Sequence, residues 1–104
     1  MQLKQLKTID IEAKEWRDKI NGNSYFSSDV TLNYGMDNQE IIKLPFQYGY
    51  GDFYYYASME KVKNLFPRSN WVKKKYNSWE LRDKYKMIIR HSIQRNCLKK
   101  ELNK

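Results

Sequence analysis

Residues 21–34 read NGNSYFSSDVTLNY, and the prediction of the fold begins from the turn and strand in this stretch. The pair Asn21 and Gly22 is among the strongest signals for a tight hairpin turn, because a type I′ turn needs a positive φ at both central residues. Apolar and polar residues then alternate from Phe26 to Tyr34, which is the pattern of a strand with one buried face. The stretch therefore predicts a turn followed by a half-buried strand.

The segments on either side of this strand show the same alternation. Residues 8–13 (TIDIEA) predict an earlier strand, and a slip in the pattern just after this run predicts a bulge or a short break. Residues 35–38 (GMDN) predict the next turn. Residues 42–48 alternate once more, with Pro45 on the opposite phase, where its missing N–H is best tolerated at a sheet edge or a bulge. Residues 8–48 therefore predict a three-stranded antiparallel meander.

The second half of the chain predicts helices. Asp52 is a suitable N-cap for a helix over residues 53–66, because its carboxylate accepts from unpaired N–H groups and suits the positive end of the helix dipole. Ser78 is the predicted cap of a second helix over residues 79–102, in which apolar residues recur at intervals of three and four. We therefore predict an α+β fold for residues 1–104, as a single domain with a three-stranded antiparallel sheet packed against a helix, plus a basic C-terminal helix.

Composition restricts the classes of protein to which the chain can belong. A length of 104 residues fits about one domain, and 40% hydrophobic residues with only four glycines and two prolines are typical of a chain that folds. Every apolar run is far shorter than the ~20 residues of a membrane span, and the N-terminus has no apolar signal core, so we expect a cytoplasmic protein without a membrane partner. The single cysteine, Cys97, and the single histidine, His91, predict no disulfide, no metal site and no cofactor.

The positive charge of the chain is concentrated in its second half. Residues 1–52 contain six basic and eight acidic side chains, whereas residues 53–104 contain fourteen basic and four acidic ones. Clustered lysine and arginine attract polyanions and accelerate encounters with them. The asymmetry therefore predicts an acidic partner for the C-terminal half.

Basic residues alternate with aromatic ones in this half, as in Trp71, Tyr76 and Trp79. Such a mixture is typical of a nucleic-acid groove, where cations contact phosphates and rings stack on bases, although a solvated helix face is an equally good interpretation. The sequence contains none of the standard RNA- or DNA-reading motifs. The predicted contact residues for a nucleic acid or a partner are Lys73, Lys74, Lys75, Arg82, Lys86, Arg90, Arg95 and Lys99.

A second candidate site is the segment LPFQYGYGDFYYY, residues 44–56. Its glycines permit the turn from strand to helix, and its aromatic rings fit the corner of a core. The alternative is a ligand or partner site, because backbone N–H groups before a helix can bind an anion and exposed tyrosines can stack on a base. The residues of this predicted turn site are Gly49, Tyr50, Gly51, Tyr54 and Tyr55.

Two acidic patterns and the single histidine are candidates for a catalytic site, and none of the three predicts an enzyme. Asp10, Glu12 and Lys14 share one strand face and resemble the acid-x-lysine strand of metal-dependent nucleases, but that site needs a further aspartate upstream. Asp18 and Asp29 flank the first hairpin, and nothing in the sequence forces them together. The histidine has no serine or cysteine nearby at a spacing that suggests a nucleophile. We therefore expect a non-enzymatic protein.

The motifs NGNSYFS (21–27) and LPFQYGYGD (44–52) resemble those of a recurrent group of small uncharacterised bacteriophage proteins. Members of the group carry a tryptophan before a GNSY-type turn, then a PFxYGYG segment and a short helix. The resemblance covers about residues 9–66 and implies a phage or prophage origin, but no activity. The basic C-terminal segment lies outside it.

These observations lead to one expected function and two alternatives. We expect a phage accessory protein that inhibits host defence, in the manner of an anti-CRISPR, by binding nucleic acid or a nucleic-acid-guided host ribonucleoprotein through its basic C-terminal face. One alternative is a protein that sequesters a nucleotide signal at the predicted turn site. The other is a homo-oligomeric structural component of the phage. The sequence does not predict an oligomeric state.

Overall fold

A computed structural model describes residues 1–102 and shows an α+β fold, which confirms the predicted class. A 3-10 turn, Leu3–Gln5, precedes the first strand. The strands are β1 (Thr8–Asp18), β2 (Asn23–Leu32), β3 (Glu40–Tyr48) and β4 (Ile88–Gln94). The helices are α1 (Phe53–Lys63), α2 (Asn70–Lys73), α3 (Ser78–Tyr85) and α4 (Lys99–Leu102).

The four strands form one mixed sheet in the order β3-β2-β1-β4. β1 pairs antiparallel with β2, and β2 pairs antiparallel with β3, whereas β4 pairs parallel with the other side of β1. The predicted antiparallel meander is therefore present as β1, β2 and β3, but the prediction of a sheet with only three strands is wrong, because it missed the parallel strand β4. A parallel neighbour requires a long crossover, and here the crossover contains α1, α2 and α3.

The predicted helix over residues 79–102 is also wrong, because the chain leaves the helix at Lys86. This residue adopts the left-handed conformation, with φ 55° and ψ 33°, and β4 begins two residues later. Ile89 and Ile93 explain the error: a spacing of four residues lies on one face of a helix and equally on one face of a strand. Ile89 is buried and Ile93 is half-buried on the inner face of the sheet.

The first hairpin lies where the sequence places it, but its loop is longer than a two-residue turn. The last pair of the ladder joins Asp18 to Asn23, which leaves four residues between the strands, and of these only Gly22 has a positive φ. The Asp18 carboxylate accepts hydrogen bonds from the backbone N–H groups of Ile20 and Asn21 and from the Asn21 side chain. These bonds, above all the one from the Asn21 side chain, lower the pKa of Asp18.

The core lies between the inner face of the sheet and the crossover. Ile11 and Val30 form one of several fully buried cross-strand pairs, and α1 buries Met59 and Val62 against this face. Asn33, the residue just after β2, adopts the left-handed conformation and is fully buried.

Buried polar groups connect the layers of this core. The hydroxyl groups of Ser28 in β2 and Ser58 in α1 are hydrogen-bonded at 2.8 Å, so the sheet and helix are joined by a satisfied polar pair. The Asn33 side chain accepts from the backbone N–H of Lys7 at 2.6 Å and donates to the carbonyl of Gln5 at 2.9 Å. These bonds fix the segment that leads into β1 against the end of β2.

Replacement of Lys86 by glycine tests the end of α3. Glycine adopts a left-handed conformation without the steric cost that lysine bears, so Lys86→Gly is expected to raise the free energy of unfolding by about 0.5–1 kcal/mol. Lys84→Gly, within the last turn of α3, is the matched control and is expected to lower it by up to about 1 kcal/mol. Urea denaturation measures both. Equal destabilisation by the two substitutions would show that the helix continues through residue 86.

Candidate functional site

The structure distributes the eight predicted basic contact residues over several elements. Lys73 ends α2, and Lys74 and Lys75 follow it; Arg82 lies in α3 and Lys86 ends it; Arg90 lies in β4, Arg95 follows that strand, and Lys99 begins α4. They do not share one helix face. Their environments separate them into cations that the fold already uses and cations that it leaves free.

Arg90 and Arg95 are paired with acidic residues of β1. Arg90 binds the Asp10 carboxylate with two hydrogen bonds, from Nε at 2.6 Å and from Nη2 at 3.0 Å, and this partner raises the pKa of Arg90. Nη1 of Arg95 lies 2.7 Å from Oε2 of Glu15. Because a carboxylate already neutralises each guanidinium, these two residues contribute little free charge to the surface.

Lys99 lies over an aromatic cluster on the outer face of the sheet, which sequence reasoning missed. Its Nζ atom is 5.2 Å from the ring centroid of Trp16 and 5.8 Å from that of Phe46. Tyr25 and Phe46 stack nearly parallel, with centroids 4.9 Å apart and an interplanar angle of 10°. Each of these two rings therefore covers one face of the other, and Lys99 connects the start of α4 to the cluster.

Of the eight predicted contact residues, the five that have no such partner all come from the crossover. Residues 61–86 contain nine basic and two acidic side chains, and we call the surface that they form the helical basic surface. Among residues 1–102, none of the nine takes part in a salt bridge. Eight of them are exposed, and Lys63 is half-buried. Cations at this density without carboxylate partners repel each other and favour a polyanionic ligand.

Aromatic packing connects the segment after α2 to the end of α3. Nζ of Lys84 lies 5.5 Å from the centroid of the Tyr76 ring, and that ring packs against Tyr85 at 6.4 Å. The backbone N–H of Tyr76 donates to the carbonyl of Trp71, whose indole is buried in the core. The lysine run at residues 73–75 therefore lies beside the last turn of α3.

α3 is positioned at both ends and presents one large ring to solvent. Asn77 and Glu80 form a capping box at its N-terminus, and Leu81 is fully buried. Nη2 of Arg82 donates to the carbonyl of Ile89 at 3.3 Å, which leaves the rest of the guanidinium exposed on the helical basic surface. Trp79 is 69% exposed, so its indole is available to stack on a ligand.

The glycines of the predicted turn site have structural roles. A Cβ atom on Gly49 would lie 2.7 Å from ring atoms of both Phe26 and Phe53, so only glycine fits there. Gly51 has a φ of 53°, the left-handed conformation that glycine adopts most easily. Both residues allow the chain to turn from β3 into α1.

The three tyrosines of the predicted turn site lie in different environments. Tyr50 is exposed, and its hydroxyl donates to the carbonyl of Gly22 at 3.2 Å. Tyr54 is 4% exposed, and its hydroxyl is hydrogen-bonded to Nδ1 of His91 at 2.8 Å. Tyr55 is half-buried and hydrogen-bonded to Ser78. Tyr54 and Tyr55, whose rings both pack against His91, therefore dock α1 onto β4 and α3, whereas Tyr50 contacts the first hairpin loop.

The acidic residues considered as catalytic groups have other partners. Asp10 binds Arg90, Asp18 caps the hairpin loop, and Asp29 lies 3.9 Å from Nζ of Lys43. Within residues 1–102, no three histidine, cysteine or acidic side chains are placed to hold a metal ion. No helix in that same range is both long and apolar enough to cross a membrane.

Comparison of the chain with protein-family models, with curated proteins and with solved structures found no match. A function is therefore inferred from the geometry and the charge of the chain itself.

Replacement of Tyr54 by phenylalanine tests its role in docking α1. Loss of the bond to His91 is expected to lower the free energy of unfolding by about 1 kcal/mol at neutral pH. Burial, with a smaller effect from Asp52, raises the pKa of Tyr54 above its ordinary value of 10.0, so the fold favours the neutral phenol. The stability that this preference contributes is present below pH 10 and is lost as the pH rises through the raised pKa.

Urea denaturation of the native chain and of Tyr54→Phe, at neutral pH and in steps above pH 10, measures both effects. The native chain is expected to lose more stability with rising pH than the variant does. Tyr50→Phe is the matched control, because its exposed hydroxyl contributes little to stability. Identical alkaline profiles for the native chain and Tyr54→Phe would contradict the structural role of this hydroxyl.

Proposed function

We propose that this chain is a non-enzymatic bacteriophage accessory protein that binds nucleic acid, or the nucleic-acid component of a host ribonucleoprotein, through the helical basic surface. The observation that carries the proposal is the set of nine basic side chains in residues 61–86 that form no salt bridge with residues 1–102. Phosphate groups at regular spacing are the polyanion that such a surface fits best, because each neutralised phosphate releases a counterion.

The contact residues proposed here differ from those expected from sequence. Lys73, Lys74, Lys75, Arg82 and Lys86 belong to the helical basic surface, whereas Arg90 and Arg95 are paired with carboxylates of β1, and Lys99 lies outside the crossover, over the outer face of the sheet. Lys61, Lys63, Arg68 and Lys84 join the proposed set. The proposed interface therefore lies on the crossover between β3 and β4, and not on the C-terminal helix that the sequence predicted.

The aromatic residues of this surface suit the same ligand. Trp79 is mostly exposed on α3, and Tyr76 lies half-buried beneath Lys84. A ring beside cations stacks on a base while the cations hold the flanking phosphates, and such stacking tolerates any base. We therefore propose binding without strong sequence preference.

A role in blocking host defence is the biological context of the proposal. It is supported by the resemblance of residues 9–66 to small phage proteins and by the chemistry of guided nucleases. A basic inhibitor would bind the exposed backbone of a guide or target strand, since the protein channel of such a complex is itself cationic. No specific contact favours sequestration of a nucleotide signal at the turn or assembly into a phage structure.

Charge reversal on the helical basic surface tests this proposal. Lys73→Glu and Lys74→Glu are each expected to weaken oligonucleotide binding about fivefold to tenfold, because each removes a phosphate contact and adds repulsion. Each is also expected to reduce the slope of log affinity against log salt concentration by about 1. Fluorescence anisotropy with a labelled DNA strand of about 12 nucleotides, at several salt concentrations, measures both quantities.

Two control variants distinguish binding through this surface from a general effect of net charge on affinity. Lys19→Glu changes the charge of the chain equally but lies in the exposed hairpin loop, and Arg90→Gln removes a cation that Asp10 already neutralises. Both are expected to leave affinity within about twofold of the native chain. An affinity that does not change with salt concentration, or equal losses in all four variants, would refute the proposed surface.

A further inference from the structure

A groove beside the helical basic surface has the chemistry of a nucleotide site. Its volume is about 480 Å³, and it lies between the N-terminal segment, the turn after α1 and the end of α3. The residues that define it are Leu65, Phe66, Arg68 and Tyr85, together with Lys4 from the N-terminal segment. Its volume lies within the range of about 300–1,000 Å³ that is typical of small-molecule sites.

The floor of the groove is apolar and its rim is cationic. Phe66 is buried and Tyr85 half-buried, so their rings form a fixed floor, while Leu65 is 46% exposed at the side. Arg68 and Lys4 are exposed, and neither forms a salt bridge with residues 1–102. A ligand that fits both features has a flat, largely uncharged ring and an attached anion.

The groove is continuous with the helical basic surface. Tyr85 lines the groove and packs against Tyr76, over which Lys84 lies. Arg68 belongs to both the groove and that surface, since it falls within residues 61–86. A strand whose phosphates contact the lysine run could therefore place a neighbouring nucleotide in the groove.

We propose that this groove binds one unpaired nucleotide of a single-stranded nucleic acid, with the base against Phe66 and Tyr85 and its phosphate between Arg68 and Lys4. The inference rests on the proposed function and narrows its ligand from nucleic acid in general to single strands. A duplex cannot fill the groove in the same way, because its bases are stacked and paired, and extraction of one from the helix costs several kcal/mol. The groove therefore selects single strands.

Paired measurements on a single strand and on a duplex test the inference. The probes are a fluorescein-labelled DNA strand of about 12 nucleotides and the blunt duplex of the same sequence, each titrated with the full chain and followed by anisotropy. The native chain is expected to bind the single strand about tenfold more tightly than the duplex, since stacking of one base contributes about that much.

Two variants locate this preference in the groove. Tyr85→Leu removes the ring but keeps an apolar side chain, and it is expected to weaken single-strand binding about tenfold while duplex binding stays unchanged. Lys4→Glu changes an exposed residue outside the helical basic surface, so it does not depend on core packing. It is expected to reduce the preference for single strands about fivefold. Lys19→Glu, beyond the far end of β1, is the matched control and is expected to keep the full preference.

The outcomes distinguish this inference from the proposed function. If neither probe binds, the proposed function fails and the inference fails with it. If both probes bind with equal affinity, or if Lys4→Glu and Tyr85→Leu leave the preference intact, the groove is not the site and the proposed function still stands. A single-strand preference that both groove variants reduce, and that Lys19→Glu leaves intact, supports the inference.

Discussion

Parallel pairing between β4 and β1 is the constraint on which the rest of the structure depends. A parallel partner requires the chain to return to the same end of the sheet, so the residues between β3 and β4 must cross one face as helices. That crossover covers the inner face with α1 and carries residues 61–86 away from the acidic β1 strand. The pairing therefore produces both the core and a surface whose cations have no acidic partners among residues 1–102.

The same pairing determines which cations are neutralised. β4 lies beside β1, and its register places Arg90 opposite Asp10, so an arginine and an aspartate eighty positions apart in the chain form a two-bond ion pair. Arg95, just after β4, reaches Glu15 in the same way. Exposed pairs of this kind contribute little to stability, but they remove charge from the surface available to a ligand. Position in the fold, and not the number of charges, therefore separates cations without a carboxylate partner from cations that the sheet pairs with one.

The tyrosine-rich segment shows a similar division between packing and exposure. Only glycine fits at position 49, because a Cβ atom there would collide with the rings of Phe26 and Phe53. The hydroxyl groups of Tyr54 and Tyr55 connect α1 to β4 and α3. The composition of this segment is that of a binding loop, and its rings include both tyrosines that dock α1 and four rings that stay exposed, which are Tyr48, Tyr50, Phe53 and Tyr56. Phe53 and Tyr56 of this segment line a cavity with Lys61, and further rings beside free cations lie on α3 and around the groove.

Local patterns in the sequence determined the approximate positions of β1, β2, β3 and α1, since alternation and helical spacing depend on neighbouring residues alone. They misplaced the bulge, because the pairing of β1 with β2 is unbroken and the irregularity lies between β2 and β3. They also determined that the basic charge lies in the second half of the chain. The tertiary structure alone decided that residues 88–94 form a strand, because the four-residue spacing of Ile89 and Ile93 satisfies a helix and a strand equally, and only the open edge of β1 favours one of them. It also decided which cations stay free, because an ion pair depends on the distance in space between residues far apart in sequence.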